Sequence, residues 1–313
     1  MSILMATKVK PIDVLNDSDV VQGNNYIFYN KSCVDMREVK DSTVSLVLTD
    51  PPYFIDGMDD KWDNKKLHQR TKPGVVGGIP AGQKFDVNQG VRLQGFLGKV
   101  GKECYRVMKP GGFMLCFSQS RLSHRAAMAL EVAGFEIRDM IAWEYEGQAK
   151  AFTQNHFVQK MKVSDAEKKS IIEKLQGRKT PQLKPKMELI IVAQKPKEGT
   201  FVDNWLKYET GLIDVSNPLI EPNKFPGTVI PCKKPRVKYN HMTVKPVDLC
   251  RHLIRIFSKE GDMVLDPFCG TGTTGVASLI EDRRCIGYEI DTDMMYVIKH
   301  RIENETIQQG NLL

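Results

Sequence analysis

The chain has 313 residues, 41% hydrophobic and 27% charged, with a formal net charge of +7. This is globular usage, enough for one large domain or one domain with a sizeable insertion, and it excludes wholesale disorder. No run of about 18 apolar residues occurs, so no membrane-spanning helix is expected, and the opening MSILMATKVKPIDV lacks the apolar core and cleavage site of a secretory leader.

NYIFYN (25–30) and TVSLVLT (43–49) are short runs of β-branched and aromatic residues, which predicts two strands. The second is almost continuously apolar, as expected of a strand covered on both faces of a parallel sheet. Residues 54–90 are rich in Gly, Asp, Lys and Pro, show little periodicity and read as a long loop, of a kind that is usually functional or mobile. Leu93, Leu97, Val100, Cys104 and Val107 recur at spacings of three and four, which predicts a helix ended by Lys109-Pro110-Gly111-Gly112. GFMLCFS (112–118) reads as a buried strand, 121–133 as a helix stopped by Gly134, and FEIRDMIAW (135–143) as the next strand.

The segment 147–186 is polar and Lys-rich, with one helix expected near 164–176, and MELIIVAQ (187–194) is a strand. Residues 195–240 receive no firm assignment. The end is regular: helix 246–258, strand 262–267, helix 272–282, strand 285–290 and helix 293–305. Seven strands alternating with helices specify an α/β fold with a doubly wound, mostly parallel seven-stranded sheet, interrupted by an irregular insertion over roughly 147–240.

Charge is concentrated in that insertion. Residues 160–197 hold 11 Lys/Arg and 4 Asp/Glu, and 232–245 hold 5 Lys/Arg and no acid, so the rest of the chain is net negative. Concentrated cations on an acidic body point to a polyanion, with a solvated surface as the equal alternative. The seven cysteines (33, 104, 116, 232, 250, 269 and 285) are dispersed without a CxxC pair. Such a set reads as reduced thiols of a cytoplasmic protein, with neither a disulfide frame nor a zinc site, and no metal is expected.

Two motifs carry chemistry. Asp266-Pro-Phe-Cys-Gly-Thr-Gly-Thr-Thr274 follows a predicted strand and opens a helix. Gly270 and Gly272 let the backbone turn sharply and approach a ligand, and the helix start offers free N–H groups. Glu289 ends the next strand, where an acid hydrogen-bonds a ribose diol. There is neither GxGxxG nor GxxxxGK[ST], so a nucleoside cofactor without a phosphate chain fits better than a dinucleotide. An N-cap role for Asp266 and a solvated strand end at Glu289 are the bland alternatives.

The other motif is Thr49-Asp50-Pro51-Pro52-Tyr53, after the strand 43–49. Two prolines fix φ and remove two N–H donors, leaving stiffly held carbonyls beside an acid and an aromatic ring. Such a turn can accept both N–H bonds of an exocyclic amine on a planar ring that Tyr53 stacks upon. It lies where α/β sheets bind ligands, beyond the carboxyl ends of strands.

Together, DPPY and DPFCGTGTT resemble the DNA amino-methyltransferases that use S-adenosylmethionine. The order resembles the beta class of that family: DPPY, a basic region, HMTVKP (241–246), then the glycine motif near the end. The similarity extends to VVGGIPAGQKFD (75–86) and AWEYEGQAKAF (142–152). It implies a Rossmann-like methyltransferase fold, with residues 1–146 as the catalytic half, 147–240 as the target-recognition insertion and 241–313 as the cofactor-binding half.

By the same resemblance, Asp266, Pro267, Phe268, Gly270, Gly272 and Thr273 would hold S-adenosylmethionine, with Glu289 on the ribose hydroxyls. Thr243 and Lys245 match the T-x-K-P element near the methionine end, Lys245 suiting the cofactor carboxylate. Asp50, Pro51, Pro52 and Tyr53 would form the target-base pocket. The family's Gly-Asp-Cys-like element reads Lys31-Ser32-Cys33 here, so Ser32, or Asp35, would take the adenine contact. Lys179, Lys184, Lys186, Lys233, Lys234, Arg236 and Lys238 would neutralise phosphates of double-stranded DNA. Trp143, Trp205 and Tyr239 are stacking candidates, for each of which simple packing is the commoner fate.

The expected activity is methylation of adenine N6 in a flipped-out base, in the setting of restriction–modification, with a cognate endonuclease and a homodimer as expected partners and no membrane. DPPY leans towards adenine; cytosine N4, an RNA or protein amine, and a silent DNA-binding module are the alternatives.

Overall fold

The apolar run at 44–49 forms the centre of a sheet, and its position fixes the rest. A computed structural model describes residues 20–52, 88–149, 151–235, 239 and 244–310. In chain order the elements are β1 (Val20–Gly23), β2 (Tyr26–Tyr29), β3 (Val44–Thr49), α1 (Gln89–Val107), β4 (Met108–Ser118), α2 (Ser123–Ala133), β5 (Glu136–Glu144), α3 (Asn155–Gln159), α4 (Asp165–Lys174), β6 (Met187–Gln194), α5 (Phe201–Tyr208), β7 (Val229–Pro231), α6 (Val247–Phe257), β8 (Met263–Asp266), α7 (Thr273–Ile280), β9 (Arg284–Tyr288) and α8 (Thr292–Gly310).

All nine strands join one sheet in the order β1-β2-β9-β8-β3-β4-β6-β5-β7. The five strands from β2 to β4 run parallel. β6 is antiparallel to both β4 and β5, β7 is parallel to β5, and β1 closes the other edge as a hairpin with β2. The expected seven strands are all present. β1 and β7 bring the sheet to nine; at four and three residues each is too short to show periodicity in the sequence.

Alternate residues along each central strand face opposite layers. Val47 of β3, Met114 and Cys116 of β4, and Ile191 and Ala193 of β6 pack with Leu93, Leu97 and Val100 of α1 and Leu130 of α2. Leu46, Leu48, Leu115, Phe117, Ile190 and Val192 face the other way, onto Leu249, Leu253 and Ile254 of α6. A third cluster seats Met295 and Ile298 of α8 and Val276 of α7 against Phe28. Helices on both faces explain why these strands read as continuous apolar runs; each fully buried leucine contributes about 2 kcal/mol of transfer free energy.

α2 stops where expected: Gly134 adopts φ 108°, and its N–H donates to the carbonyls of Leu130 and Glu131. The unassigned stretch 195–240 contains α5, opened by a reciprocal capping box between Thr200 and Asp203. Asn204 of α5 is buried and donates to the carbonyls of Pro110 and Thr210, which pins the helix against β4. The stretch 147–240 thus contributes β6 and β7 to the sheet. What leaves the sheet is mainly 151–186, where α3 buries only Val158 and α4 buries nothing.

Candidate active site

The carboxyl ends of β3, β8 and β9 converge. β3 and β8 pair in register at Leu46–Val264 and Val47–Leu265, which sets the turn after Thr49 beside the turn after Asp266. Thr49 Oγ1 donates to Asp266 Oδ1 at 2.7 Å, and the Phe268 N–H donates to the same oxygen at 3.1 Å. One step along the sheet, Glu289 follows β9 and accepts the N–H groups of Gly270 and Asp291, both at 2.8 Å. The two chemical motifs, more than 200 residues apart in sequence, are thereby tied into one wall.

That wall encloses a cavity of about 170 Å³. Asp50, Pro51 and Pro52 line it. Asp266, Pro267, Phe268, Gly270, Thr273 and Glu289 line it as well, with Ser32 and Lys245 also in the wall. Gly272 stands behind it at φ 78°; a Cβ there would meet Ile298 at 3.1 Å, so this glycine serves the turn and its packing on α8. Asp35 is half-buried, bonded to Arg37 and outside the wall. Tyr53 and Thr243, like the segment 75–86 and most of the long loop, lie outside the described residues.

Burial governs the electrostatics. It pushes the Asp266 carboxyl up to about 6, against the hydrogen bonds from Thr274, Thr49 and the Phe268 N–H. It pushes Glu289 up to about 7, against the pull of the Asp291 and Gly270 amides. Burial also raises the thiols of Cys33, Cys250 and Cys269, which line the cavity, so none is poised as a thiolate nucleophile.

The ammonium of Lys245, the candidate for the cofactor carboxylate, sits 2.5 Å from Asp50 Oδ2 and 3.0 Å from Glu188 Oε1. Burial alone would lower its pKa, yet the two carboxylates hold it above the ordinary lysine value. The Phe117 ring closes another side, its centroid 5.0 Å from Nζ. Glu188 opens β6 and belongs to no motif, so nothing in the sequence singled it out.

Arg301 on α8 was equally silent in sequence. Its Nη1 donates to the Thr271 carbonyl, to Thr271 Oγ1 and to Thr273 Oγ1 at 3.1, 3.0 and 2.8 Å, and its Nε donates to Glu305 at 2.8 Å. Tyr239 covers the guanidinium and donates its hydroxyl to Glu305. The glycine turn is therefore braced from behind by a buried cation.

The residues fit a nucleoside cofactor. The turn at Gly270, φ 49°, brings backbone to the cavity; Phe268 offers an aromatic face; and Glu289 is an acid at the strand end. Among the basic candidates, Lys179, Lys184, Lys186, Lys233 and Lys234 are exposed. Lys184 and Lys186 pair with Glu146 at 2.8 and 3.2 Å, and the Lys234 ammonium lies 3.8 Å from the Tyr145 ring centroid. Arg236 and Lys238 lie outside the described residues. Lys195 is withdrawn from the basic set, because its ammonium donates to the carbonyls of Tyr105 and Met108. Trp143 is a core residue whose Nε1 donates to the Cys232 carbonyl, so it is not a stacking platform. Among the described residues no helix is long and apolar enough to cross a membrane.

Comparison with known proteins follows the same outline. The model of the N6/N4 methyltransferase family, described as DNA methylase, matches residues 44–300. The Type II methyltransferase M.HindIII of Haemophilus influenzae is 28% identical over 302 residues, covering 88% of this chain and 94% of that protein. The DNA adenine methyltransferase YhdJ of Escherichia coli is 25% identical, covering 88% and 82% respectively. In fold, the chain is similar to the cytosine-N4-specific PvuII DNA methyltransferase, with a TM-score of 0.57, 15% identity, and coverage of 92% of this chain and 93% of that one.

Proposed function

The chain belongs to the DNA methylase family of N6-adenine and N4-cytosine enzymes, and on that premise we propose that it methylates N6 of adenine in double-stranded DNA. The family uses S-adenosylmethionine, which supplies an electrophilic methyl on a sulfonium. The observation that carries the reading is the shared cavity: the Asp50-Pro51-Pro52 turn and the Asp266–Gly270 turn face one space, held together by Thr49 and Asp266.

An adenine amine is a poor nucleophile because its lone pair is delocalised into the ring. Asp50 and the Pro51 carbonyl accept its two N–H bonds, favour pyramidal nitrogen and stabilise the positive charge that develops there, an effect strongest in the transition state. The nitrogen gains the methyl as the S–C bonding pair returns to sulfur, and the surplus proton then leaves to water. The prolines keep the acceptors rigid, so little reorganisation is needed at the moment of reaction. Tyr53 stacks on the base and offsets part of the few kcal/mol that base flipping costs. Glu289 holds the ribose diol, Phe268 and Ser32 flank the nucleoside, and Gly270 and Thr273 shape the turn around it.

Target reading falls to the stretch 147–240, above all to 151–186, which has nine Lys/Arg against three Asp/Glu. Lys179, Lys184, Lys186, Lys233 and Lys234 contact phosphates there, with Arg236 and Lys238 in the same role. By likeness to Type II methyltransferases, the setting is restriction–modification with a cognate endonuclease. The choice of adenine rests on the acid at Asp50. Nucleoside mass spectrometry on unmethylated DNA incubated with the protein and S-adenosylmethionine tests it. N6-methyladenine is the expected product; N4-methylcytosine would keep the mechanism and change the base, and no methylated base despite cofactor binding would sink the reading.

A further inference from the structure

Transfer of a methyl from a sulfonium to an amine moves one positive charge onto nitrogen, so the potential in the amine pocket decides how costly that move is. Asp50 would supply one negative charge. Lys245 takes it away: its ammonium is 2.5 Å from Asp50 Oδ2 and its side chain is only 7% exposed. Taken alone, that buried pair is neutral.

Glu188 changes the balance. Its Oε1 lies 3.0 Å from the same ammonium, and its side chain is 17% exposed. The three side chains together carry one net negative charge. Glu188 reaches the site because β6 runs antiparallel to β4, so the start of β6 meets the end of β4, Leu189 pairing with Ser118. A parallel strand in that place would have sent its first residues to the amino ends of the parallel strands, away from the cavity. An ammonium enclosed this deeply needs acceptors on more than one side, and losing one partner of a buried ionic group is costly.

We infer that Glu188 is a positioning residue for methyl transfer: it holds the Lys245 ammonium against Asp50 and sets a second carboxylate beside that ammonium. The inference rests on the reading of this cavity as a DNA amine methylation site. It assigns Lys245 the task of fixing one oxygen of Asp50.

The test compares Glu188→Gln, nearly isosteric but neutral, with Glu188→Asp, shorter but charged, in the full chain with unmethylated genomic DNA and S-adenosylmethionine. Glu188→Gln is expected to lower kcat about 10- to 100-fold while cofactor affinity stays within about twofold, and Glu188→Asp to recover much of that loss. Unchanged kcat in Glu188→Gln, or equal loss in both variants, would overturn the inference.

A second readout needs no turnover. Acylation of Lys245 by a water-soluble amine reagent, followed by peptide mass spectrometry of the free protein, should be several-fold faster in Glu188→Gln than in the unaltered chain. Equal rates would overturn the inference even in an active enzyme. Absence of DNA methylation by the unaltered chain would instead count against the functional reading, while the acylation comparison still decides the triad.

Discussion

At the residue scale, the site depends on carboxylates whose environments differ. Asp50 faces the proposed amine, so Asp50→Asn should lower kcat about 100- to 1,000-fold. Equilibrium dialysis should show S-adenosylmethionine binding retained, because Asp50 is not among the nucleoside contacts. Glu289 makes a pH prediction. Burial raises it from its ordinary 4.5 to about 7, so in the free protein its protonated form is the favoured one. The stability it contributes is present below 4.5 and lost as pH rises to about 7. Ribose hydroxyls donating to it favour the ionised form, so cofactor affinity should climb as pH rises through about 7. Titration calorimetry across that range checks this, and Glu289→Gln should flatten the dependence.

Asp50, Asp266 and Glu289 were legible in the sequence because each sits in a contiguous signature at a strand end. Glu188 and Arg301 were not. Their partners come from other strands and helices, and an acid in MELIIVAQ or an arginine in a terminal helix is unremarkable until the chain has folded.

Among the elements, the exchange between α8 and the glycine turn is the most exposed to testing. Arg301 Nη1 reaches the Thr271 carbonyl and the hydroxyls of Thr271 and Thr273, deep behind the cavity wall. Arg301→Met keeps much of the packing but removes every donor, leaving Glu305 without that cation. A loss of about 3–5 kcal/mol in stability is expected, read by denaturant unfolding, together with weakened cofactor binding. Arg301→Lys should recover part of the stability but not the three-way contact to Thr271 and Thr273.

The strongly periodic helices and the apolar strands could be read directly, since both period and burial point the same way. α5 was missed although its Thr200–Asp203 capping box is a recognisable opening. β7 was missed because three residues, one of them a proline, carry no pattern, and its place is set by pairing with Ala142 to Glu144 of β5. The direction of β6 was likewise unreadable: an apolar run says that a strand is buried, not which way it runs.

For the whole molecule, charge and sheet divide the labour. The basic segment outside the sheet should make DNA affinity fall steeply with salt, each neutralised phosphate adding about −0.9 to the slope of log K against log salt. Replacing Lys179 with Ala should reduce that slope by about 1, as measured by fluorescence anisotropy, and leave cofactor affinity unchanged. A change in cofactor affinity would show that this segment is coupled to the cavity rather than peripheral to it.

The pairing of β3 with β8 also has a consequence in time. Thr49 leaves the ribosome 217 residues ahead of Asp266, its hydrogen-bond partner. At about 5–20 residues per second, that interval is roughly 10–45 s of synthesis. Throughout it, the Asp50 turn has no cofactor wall opposite it, and β3 lacks one of its two parallel neighbours. On the proposed assignment of the site, the nascent chain is chemically silent until almost its last helix is made, so a prematurely terminated product would carry the proposed target-base motif but no means of using it.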